Sequence, residues 1–110
     1  MSLAVLTVIK EPLQNLTVFL GSYDILDFTC VTDSITSVIW VNGTTGDKLS
    51  LEHPEDVSMR SELRGDGLVV HTLTIAVREQ NNGTVLECVA VDIEAQRIET
   101  KKASLLIQGT

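Results

Sequence analysis

The chain of 110 residues is poor in basic residues and has no long apolar run. It carries 8 Lys and Arg against 15 Asp and Glu, which gives a formal net charge of −7. Nucleic acids and acidic membrane surfaces are bound by clustered Lys and Arg, so neither is expected as a partner. The uninterrupted apolar stretches are too short to span a bilayer, and any membrane attachment would need a segment absent from this sequence.

Histidine and cysteine, the usual residues of catalytic and metal sites, number only two each. His53 lies beside Pro54 in a predicted loop and His71 lies in a predicted strand, and neither accompanies a recognisable nucleophile pattern. Cys30 and Cys88 have no nearby cysteine or histidine to complete a tetrahedral metal set. We therefore predict a binding module without a metal or cofactor, and not an enzyme.

Apolar residues recur at every second position in many segments, and no longer window shows a helical period. The chain is therefore predicted to be all-β. Each sheet must bury one face, so many short strands favour a two-layer sandwich. Turn residues delimit nine predicted strands, at 6–9, 16–20, 25–32, 37–41, 48–51, 57–62, 68–77, 85–91 and 97–108.

The length suits a single domain. We interpret residues 1–3 (Met-Ser-Leu) as an expression remnant and residues 4–110 as one domain cut from a larger protein.

Three of the four asparagines, Asn15, Asn42 and Asn82, each begin an N-x-Thr acceptor sequence for N-glycosylation. Each acceptor falls at a predicted strand edge or turn, where an oligosaccharide could stand in water. The alternative is that turns favour Asn, Gly and Thr for conformational reasons alone. Together with the cysteine pair, the acceptors indicate an oxidising, secretory compartment.

The two cysteines and the single tryptophan lie mid-strand on predicted inward faces. Trp40 follows Cys30 by ten residues, and Cys88 begins a Cys-Val-Ala sequence. Leu73-x-Ile75 precedes the second cysteine, and Gly21-Ser22 precedes the strand of the first. This pattern resembles the immunoglobulin superfamily over residues 4–108, in the manner of an I-type or short V-like domain.

The resemblance implies a Greek-key sandwich of two sheets joined by a Cys30–Cys88 disulfide that packs against Trp40. The same resemblance implies a core that includes Phe28, Leu73, Ile75 and Leu86. A bridge across this loop would stabilise the fold by about 4 kcal/mol in the chain-entropy estimate. The alternative is a pair of reduced core thiols, which would suit a cytosolic domain.

The chain departs from the family pattern before its second cysteine. Many such domains carry D-x-G-x-Y-x-C, whereas the matching positions here are Asn82, Thr84 and Leu86. The tyrosine corner is therefore absent, and the turn is expected to depend on Asn and Gly geometry. Without the family's aspartate, we also expect Arg60 or Arg64 to lack its usual partner.

The predicted strands at 37–41, 85–91 and 97–108 correspond to strands C, F and G of the family, and the outer face of the sheet that they form is predicted to be unusually apolar. In resembling receptors this sheet commonly docks a second immunoglobulin-like domain, and exposed apolar area favours such cover. The alternative is that β-branched residues suit either face of a strand, or that a neighbouring domain or loop covers them. The predicted partner face consists of Ile39, Val41, Val89, Val91 and Leu106.

Arg64-Gly65-Asp66 matches the tripeptide that integrins recognise, and it falls in a predicted exposed turn. A tight hairpin turn also needs glycine and aspartate at such positions. The turn interpretation is favoured, and an integrin is not the expected partner.

Two functions follow from the sequence. The favoured one is an extracellular binding module of a cell-surface adhesion or immune-type receptor, or of a secreted protein. Its expected partner is a protein ligand or another immunoglobulin domain, including a second copy of itself. The alternative is a structural spacer in a tandem array, either extracellular or in an intracellular filament protein.

Overall fold

A computed structural model of the chain describes residues 8–34, 36–49, 54–94 and 96–109. Two short 3₁₀ turns lie at Pro54–Asp56 and Glu79–Asn81. In these segments no helix is long and apolar enough to cross a membrane. The strands in chain order are β1 (Ile9–Glu11), β2 (Leu16–Phe19), β3 (Ile25–Thr32), β4 (Ser37–Asn42), β5 (Val57–Leu63), β6 (Val69–Ala76), β7 (Val85–Asp92) and β8 (Arg97–Gln108).

The strands form two four-stranded sheets that pack face to face. One sheet has the order β1-β3-β6-β5 and the other the order β2-β8-β7-β4. Neighbouring strands are antiparallel except for β2, which runs parallel to β8. Each strand presents alternate residues to the other sheet, which explains the two-residue apolar period of the sequence.

The N-terminal part of the chain contributes one strand to each sheet. Pro12 follows β1 and has no backbone N–H to donate, so the β1 pairing ends there. Leu13 is buried, and the chain then crosses to the second sheet as β2. The predicted strand at 16–20 corresponds to β2, whereas the one predicted at 6–9 shares only Ile9 with β1, and residues 6 and 7 lie outside the described part.

The core lies between the two inner faces. Cys30 and Cys88 form a disulfide with a Cα–Cα distance of 6.6 Å, and both side chains are fully buried. Trp40 is buried beside them, opposite Cys88 in the β4–β7 register. The two-sheet sandwich with one inter-sheet disulfide is thus confirmed. The remaining predicted core residues, Phe28, Leu73, Ile75 and Leu86, are all buried in the same cluster.

The predicted strand at 48–51 is seen only in part. Lys48 makes a single antiparallel bridge to Val41, at the free edge of β4. Leu49 donates its backbone N–H to the Trp40 carbonyl at 3.4 Å. Residues 50 and 51 lie outside the described segments.

Arg60 and Arg64 pair with acidic residues other than the family's aspartate, whose position Asn82 occupies. Arg60 lies on the outer face of its sheet, where its guanidinium is 3.4 Å from the carboxylate of Asp27. Arg64 contacts both Glu11 and Asp66 at 2.7 Å. Arg60 on β5 reaches across β6 to Asp27 on β3, whereas Arg64 is met by Glu11 of β1 and by Asp66 of the turn after β5.

Candidate protein-binding face and glycosylation sites

The outer face of β4, β7 and β8 carries a contiguous group of apolar side chains. Ile39 lies opposite Val89 in the β4–β7 register, and Val91 lies opposite Ile98 in the β7–β8 register. Ile39 is 52% exposed and Ile98 is 70% exposed. We call these four residues, Ile39, Val89, Val91 and Ile98, the Val89 patch.

The sequence prediction of the partner face named three of these four residues, Ile39, Val89 and Val91, but it missed Ile98. Alternation along β8 assigns Ile98 and Leu106 to the same outer face. Only the pairing of β8 with β7 shows that Ile98 stands beside Val91. Leu106 is eight residues further along β8, about 27 Å away at the usual rise of a strand.

Leu106 belongs to a separate apolar area at the other end of the face. It pairs with Thr17 of β2, and Phe19 projects from the same side two residues further along β2. Leu106 is 45% exposed and Phe19 is 55% exposed. We call these two residues the Leu106 patch.

A pair of charged residues lies between the two patches. The Glu87 carboxylate is 3.9 Å from the Lys102 ammonium across the β7–β8 pair. Val41 stands next to Glu87 in the β4–β7 register and is half-buried. The predicted partner face is therefore two apolar areas with a charged boundary, and Val41 lies at that boundary.

Two of the glycosylation asparagines hydrogen-bond the two edges of β8. Ser104 donates its backbone N–H to Asn15 Oδ1 at 2.9 Å, on the β2 side. Ile107 donates its backbone N–H to Asn82 Oδ1 at 2.7 Å, on the β7 side. A backbone N–H needs an acceptor, so the oxygen of each amide must face the strand.

Asn42 uses its oxygen in the same way at the end of β4. Its Oδ1 accepts the backbone N–H groups of Thr44 at 2.8 Å and Thr45 at 3.3 Å. No hydrogen bond among the described residues uses the Nδ2 of Asn15, Asn42 or Asn82. Because the sugar is attached at Nδ2, the structural role of each oxygen is compatible with glycosylation.

The three asparagines lie at one end of the sandwich. Asn42 pairs with Leu86 at the start of β7, and Gly43 donates its N–H to the Val85 carbonyl at 2.8 Å. Val85 pairs in turn with Ser104, which carries the bond to Asn15. Val91 is six residues further along β7, about 20 Å from this row. The acceptors are therefore clustered at the end of the face opposite to Val91 and Ile98.

The Arg64-Gly65-Asp66 tripeptide forms a closed turn between β5 and β6. Arg64 Nε donates to both carboxylate oxygens of Asp66 at 3.1 Å, and Leu68 donates its N–H to Asp66 Oδ1 at 3.1 Å. The hydrogen bond from Arg64 lowers the pKa of Asp66 to about 2, and the bond to Asp66 raises the pKa of Arg64. The arginine and the aspartate bind one another and are not both free for a partner.

His71 is an inward-facing polar residue whose contacts the sequence did not reveal. Its Nδ1 lies 2.8 Å from Ser61 Oγ and its Nε2 lies 3.0 Å from Thr32 Oγ1. Burial lowers the pKa of His71, which favours the neutral ring. Both ring nitrogens are bonded to hydroxyls and neither to a carboxylate, so the imidazolium has no counter-charge here. His53, the other predicted candidate, lies outside the described residues.

No family model matches the chain, and no curated protein matches it either. The fold, however, is found in many solved structures. A chain of the titin M10–obscurin-like 1 Ig complex superposes with a TM-score of 0.68 at 18% identity, over 93% of each chain. The first immunoglobulin domain of mouse SynCAM 2 gives a TM-score of 0.58 at 23% identity, over 89% of this chain and 94% of that chain.

A structure with the N-terminal eight immunoglobulin domains of Down Syndrome Cell Adhesion Molecule gives a TM-score of 0.68 at 20% identity. The match covers 91% of this chain and 12% of that chain. Domains of this fold thus occur both in adhesion molecules and in titin. Identities this low show the architecture, and together with the two sheets and their disulfide they show that this chain has the immunoglobulin fold.

Proposed function

We propose that the chain is an extracellular binding module of a cell-surface adhesion or immune-type receptor, and that it binds protein. The proposal is supported chiefly by the Val89 patch, which places apolar side chains together on the outer face of β4, β7 and β8. Exposed apolar side chains that are contiguous across three strands favour a protein partner, because covering them removes apolar surface from water. No enzymatic role is proposed.

The partner we propose is another immunoglobulin-fold domain. The Val89 patch lies on three adjacent strands, β4, β7 and β8, so the face of a second sheet can cover it. One of the structural neighbours is itself part of a complex between immunoglobulin domains. The net charge of −7 opposes the approach of an identical copy, so a different domain is favoured over self-association.

The Val89 patch is tested by placing a charge within it. Ile39→Arg and Ile98→Arg put a guanidinium on the exposed face without removing a core side chain. Leu106→Arg is the matched control, since it makes the same change on the same sheet outside the patch. Binding is measured in a screen of extracellular domains, and self-association is measured by sedimentation.

If the Val89 patch is the docking surface, each variant in the patch weakens binding at least about tenfold, a loss of about 1.4 kcal/mol. Leu106→Arg keeps the affinity of the unchanged domain. Equal affinities for all three variants would exclude the patch. Weakening by Leu106→Arg alone would move the docking surface to the other end of the face.

The compartment is tested separately. We propose that the domain is secreted with its disulfide formed and that Asn15, Asn42 and Asn82 carry N-linked sugars. The free Nδ2 atoms and the Cys30–Cys88 bridge support this. Mass spectrometry of the protein from a secreting eukaryotic cell measures occupancy at each asparagine. Three unmodified asparagines would contradict the proposal.

The second candidate is a structural spacer in a tandem array. The elongated shape favours it, since the described part measures 54 × 31 × 26 Å. β1 begins beside Thr32 at one end of the sandwich, and β8 ends at the other. A spacer would bind no partner in the screen, and Ile39→Arg would therefore have no effect on binding. The unfolding of a spacer would instead change when its neighbouring domains are present.

A further inference from the structure

The Leu106 patch differs from the Val89 patch in what surrounds it. Leu106 lies between the two residues of β8 that bond to acceptor asparagines, Ser104 on one side and Ile107 on the other. Asn15 reaches β8 from the β2 edge and Asn82 from the β7 edge. Both asparagines are exposed. The apolar side chain is therefore flanked by two points at which a sugar would be attached.

Phe19 extends the same area along β2. Thr17, the third residue of the Asn15 acceptor sequence, lies opposite Leu106, and Phe19 lies opposite Gln108. All of these side chains point outward, since Leu16 and Val18 between them pack against the core. Asn15 is four residues from Phe19, about 13 Å along the strand. A short oligosaccharide at Asn15 can lie along this row.

We propose that the N-linked oligosaccharide on Asn15 packs its inner sugar rings over Leu106 and Phe19. The sugar on Asn82 lies at the opposite edge of β8, on the β7 side. The inference rests on the glycosylation proposed above. Sugar rings present C–H groups on their faces, and these can cover an apolar and aromatic surface while the hydroxyl groups remain in water. The chain's own glycan thus covers one half of the sheet face and leaves the Val89 patch for protein.

The position of the sugars also restricts how a partner can dock. A bulky oligosaccharide at Asn15 and another at Asn82 would obstruct a protein surface approaching Leu106. Val91 lies about 20 Å from the row of acceptors, and the end of the patch that holds Val91 and Ile98 stays accessible. The partner therefore docks at the end of the face that includes Ile98, and not over its whole length.

The experiment removes one sugar without changing the asparagine that carries it. Thr17→Val abolishes the Asn15 acceptor and keeps the amide that bonds to Ser104. Thr44→Val is the matched control, because it abolishes the Asn42 acceptor at an exposed turn away from the Leu106 patch. The whole chain is produced once in secreting eukaryotic cells and once without glycosylation. Melting temperature and binding of an apolar-surface dye are measured in each case.

In the glycosylated protein, Thr17→Val is expected to lower Tm by about 4 °C and to increase dye binding several-fold. Thr44→Val is expected to change neither quantity. Without glycosylation the two variants should match the unchanged chain. Adding Leu106→Ser should remove the difference that Thr17→Val makes, since the surface under the sugar is then polar.

Equal effects of Thr17→Val and Thr44→Val in the glycosylated protein would overturn the inference, as would an unmodified Asn15 in its mass spectrum. So would a Thr17→Val effect that persists without sugar. Protein binding at the Val89 patch is a separate measurement, made with Ile39→Arg. If Ile39→Arg did not weaken protein binding, the docking proposal would fail, while the expected effects of Thr17→Val on Tm and dye binding would stay the same. The docking proposal and the glycan-packing proposal therefore fail independently.

Discussion

Asp56 and Arg78 form an ion pair beneath the turn that precedes β7, with Arg78 Nε 2.8 Å from Asp56 Oδ1. The Asp56 side chain is only 1% exposed. Asn81 donates its Nδ2–H to Asp56 Oδ2 at 3.3 Å and to the Ala76 carbonyl at 2.9 Å. In the family pattern, an arginine at the position of Arg60 or Arg64 pairs with an aspartate at position 82, later in the chain. In this chain the acidic residue, Asp56, precedes the arginine, Arg78.

This arrangement takes the place of the missing tyrosine corner. Asn81 joins the turn to the Asp56 carboxylate, and Thr84 Oγ1 donates to the Asn81 carbonyl at 2.7 Å. Within the described part of the chain, Asp56 Oδ1 has no well-aligned hydrogen-bond donor, so Arg78 compensates its charge as an ion pair. Arg78 is therefore expected to contribute more to the stability of this turn than a typical surface salt bridge contributes.

Replacing Arg78 by Met should destabilise the fold by about 2 to 3 kcal/mol. The change leaves a buried carboxylate without its cation, and removing one partner of a buried pair costs about 3 to 5 kcal/mol, reduced here because Arg78 is half-exposed. Urea unfolding measures the loss. The double variant Arg78→Met with Asp56→Asn should recover at least half of it. If the double variant is no more stable than Arg78→Met, the ion pair is not the cause.

Removing the disulfide by changing Cys30 and Cys88 to Ala should cost about 4 kcal/mol, because the bridge closes a loop of 58 residues. This is a large part of the net stability of a small domain, about 5 to 15 kcal/mol. The midpoint of urea unfolding gives the change. The unchanged chain under reducing conditions should show a similar loss, and unfolding midpoints that ignore the reductant would contradict the prediction.

Gly43→Ala should destabilise the domain by about 1 to 3 kcal/mol. A Cβ at this position would run into the Cγ1 atom of Val85, and the Gly43 backbone is fixed by its hydrogen bond to the Val85 carbonyl. Gly65→Ala is the control, since a Cβ there meets no atom. The double variant with Val85→Ala should cost less than the sum of the two single changes. Additive effects would mean that the close approach does not limit this position.

The stability of the domain should fall as the pH is lowered below about 6.5. Burial lowers the pKa of His71 in the folded chain, whereas the unfolded chain keeps the ordinary value of about 6.5. Between these two values the unfolded chain binds a proton that the folded chain does not, so acid favours unfolding. Lys48 and Arg60 line the groove beside His71 and add no compensating negative charge.

Urea unfolding between pH 7.5 and pH 5 tests this dependence. The slope is at most about 1.4 kcal/mol per pH unit for one group. His71→Gln keeps an amide between Ser61 and Thr32 and should remove most of the slope. His53→Gln is the control and should keep it. An unchanged slope in His71→Gln would assign the pH dependence to another group.

Local alternation was sufficient to predict most strands. β3 and β8 have the bounds expected from the sequence, because each begins and ends where a run of alternating residues meets turn residues. The predicted inward residues Leu86, Cys88 and Ala90 lie in the core for the same reason. Of the strand predicted at 48–51, only residues 48 and 49 are described, and Lys48 makes a single bridge at a sheet edge.

Contacts between distant segments could not be predicted in this way. Alternation cannot say which residue of β8 stands beside Val91, and the strand register shows that it is Ile98 and not Leu106. Nothing in the sequence pattern connected Arg78 to Asp56, 22 residues earlier. The bonds from His71 to Thr32 and Ser61 likewise join three different strands.

The sequence by itself determined an all-β sandwich with an inward Cys30, Trp40 and Cys88, because a two-residue period and turn residues are local signals. Only the tertiary structure decided that the outer face has two apolar areas and that the three acceptor asparagines cluster at one end. It also decided that Arg64 and Asp66 bind each other. These features depend on strand register and on side chains meeting across space, which a pattern along the chain does not encode.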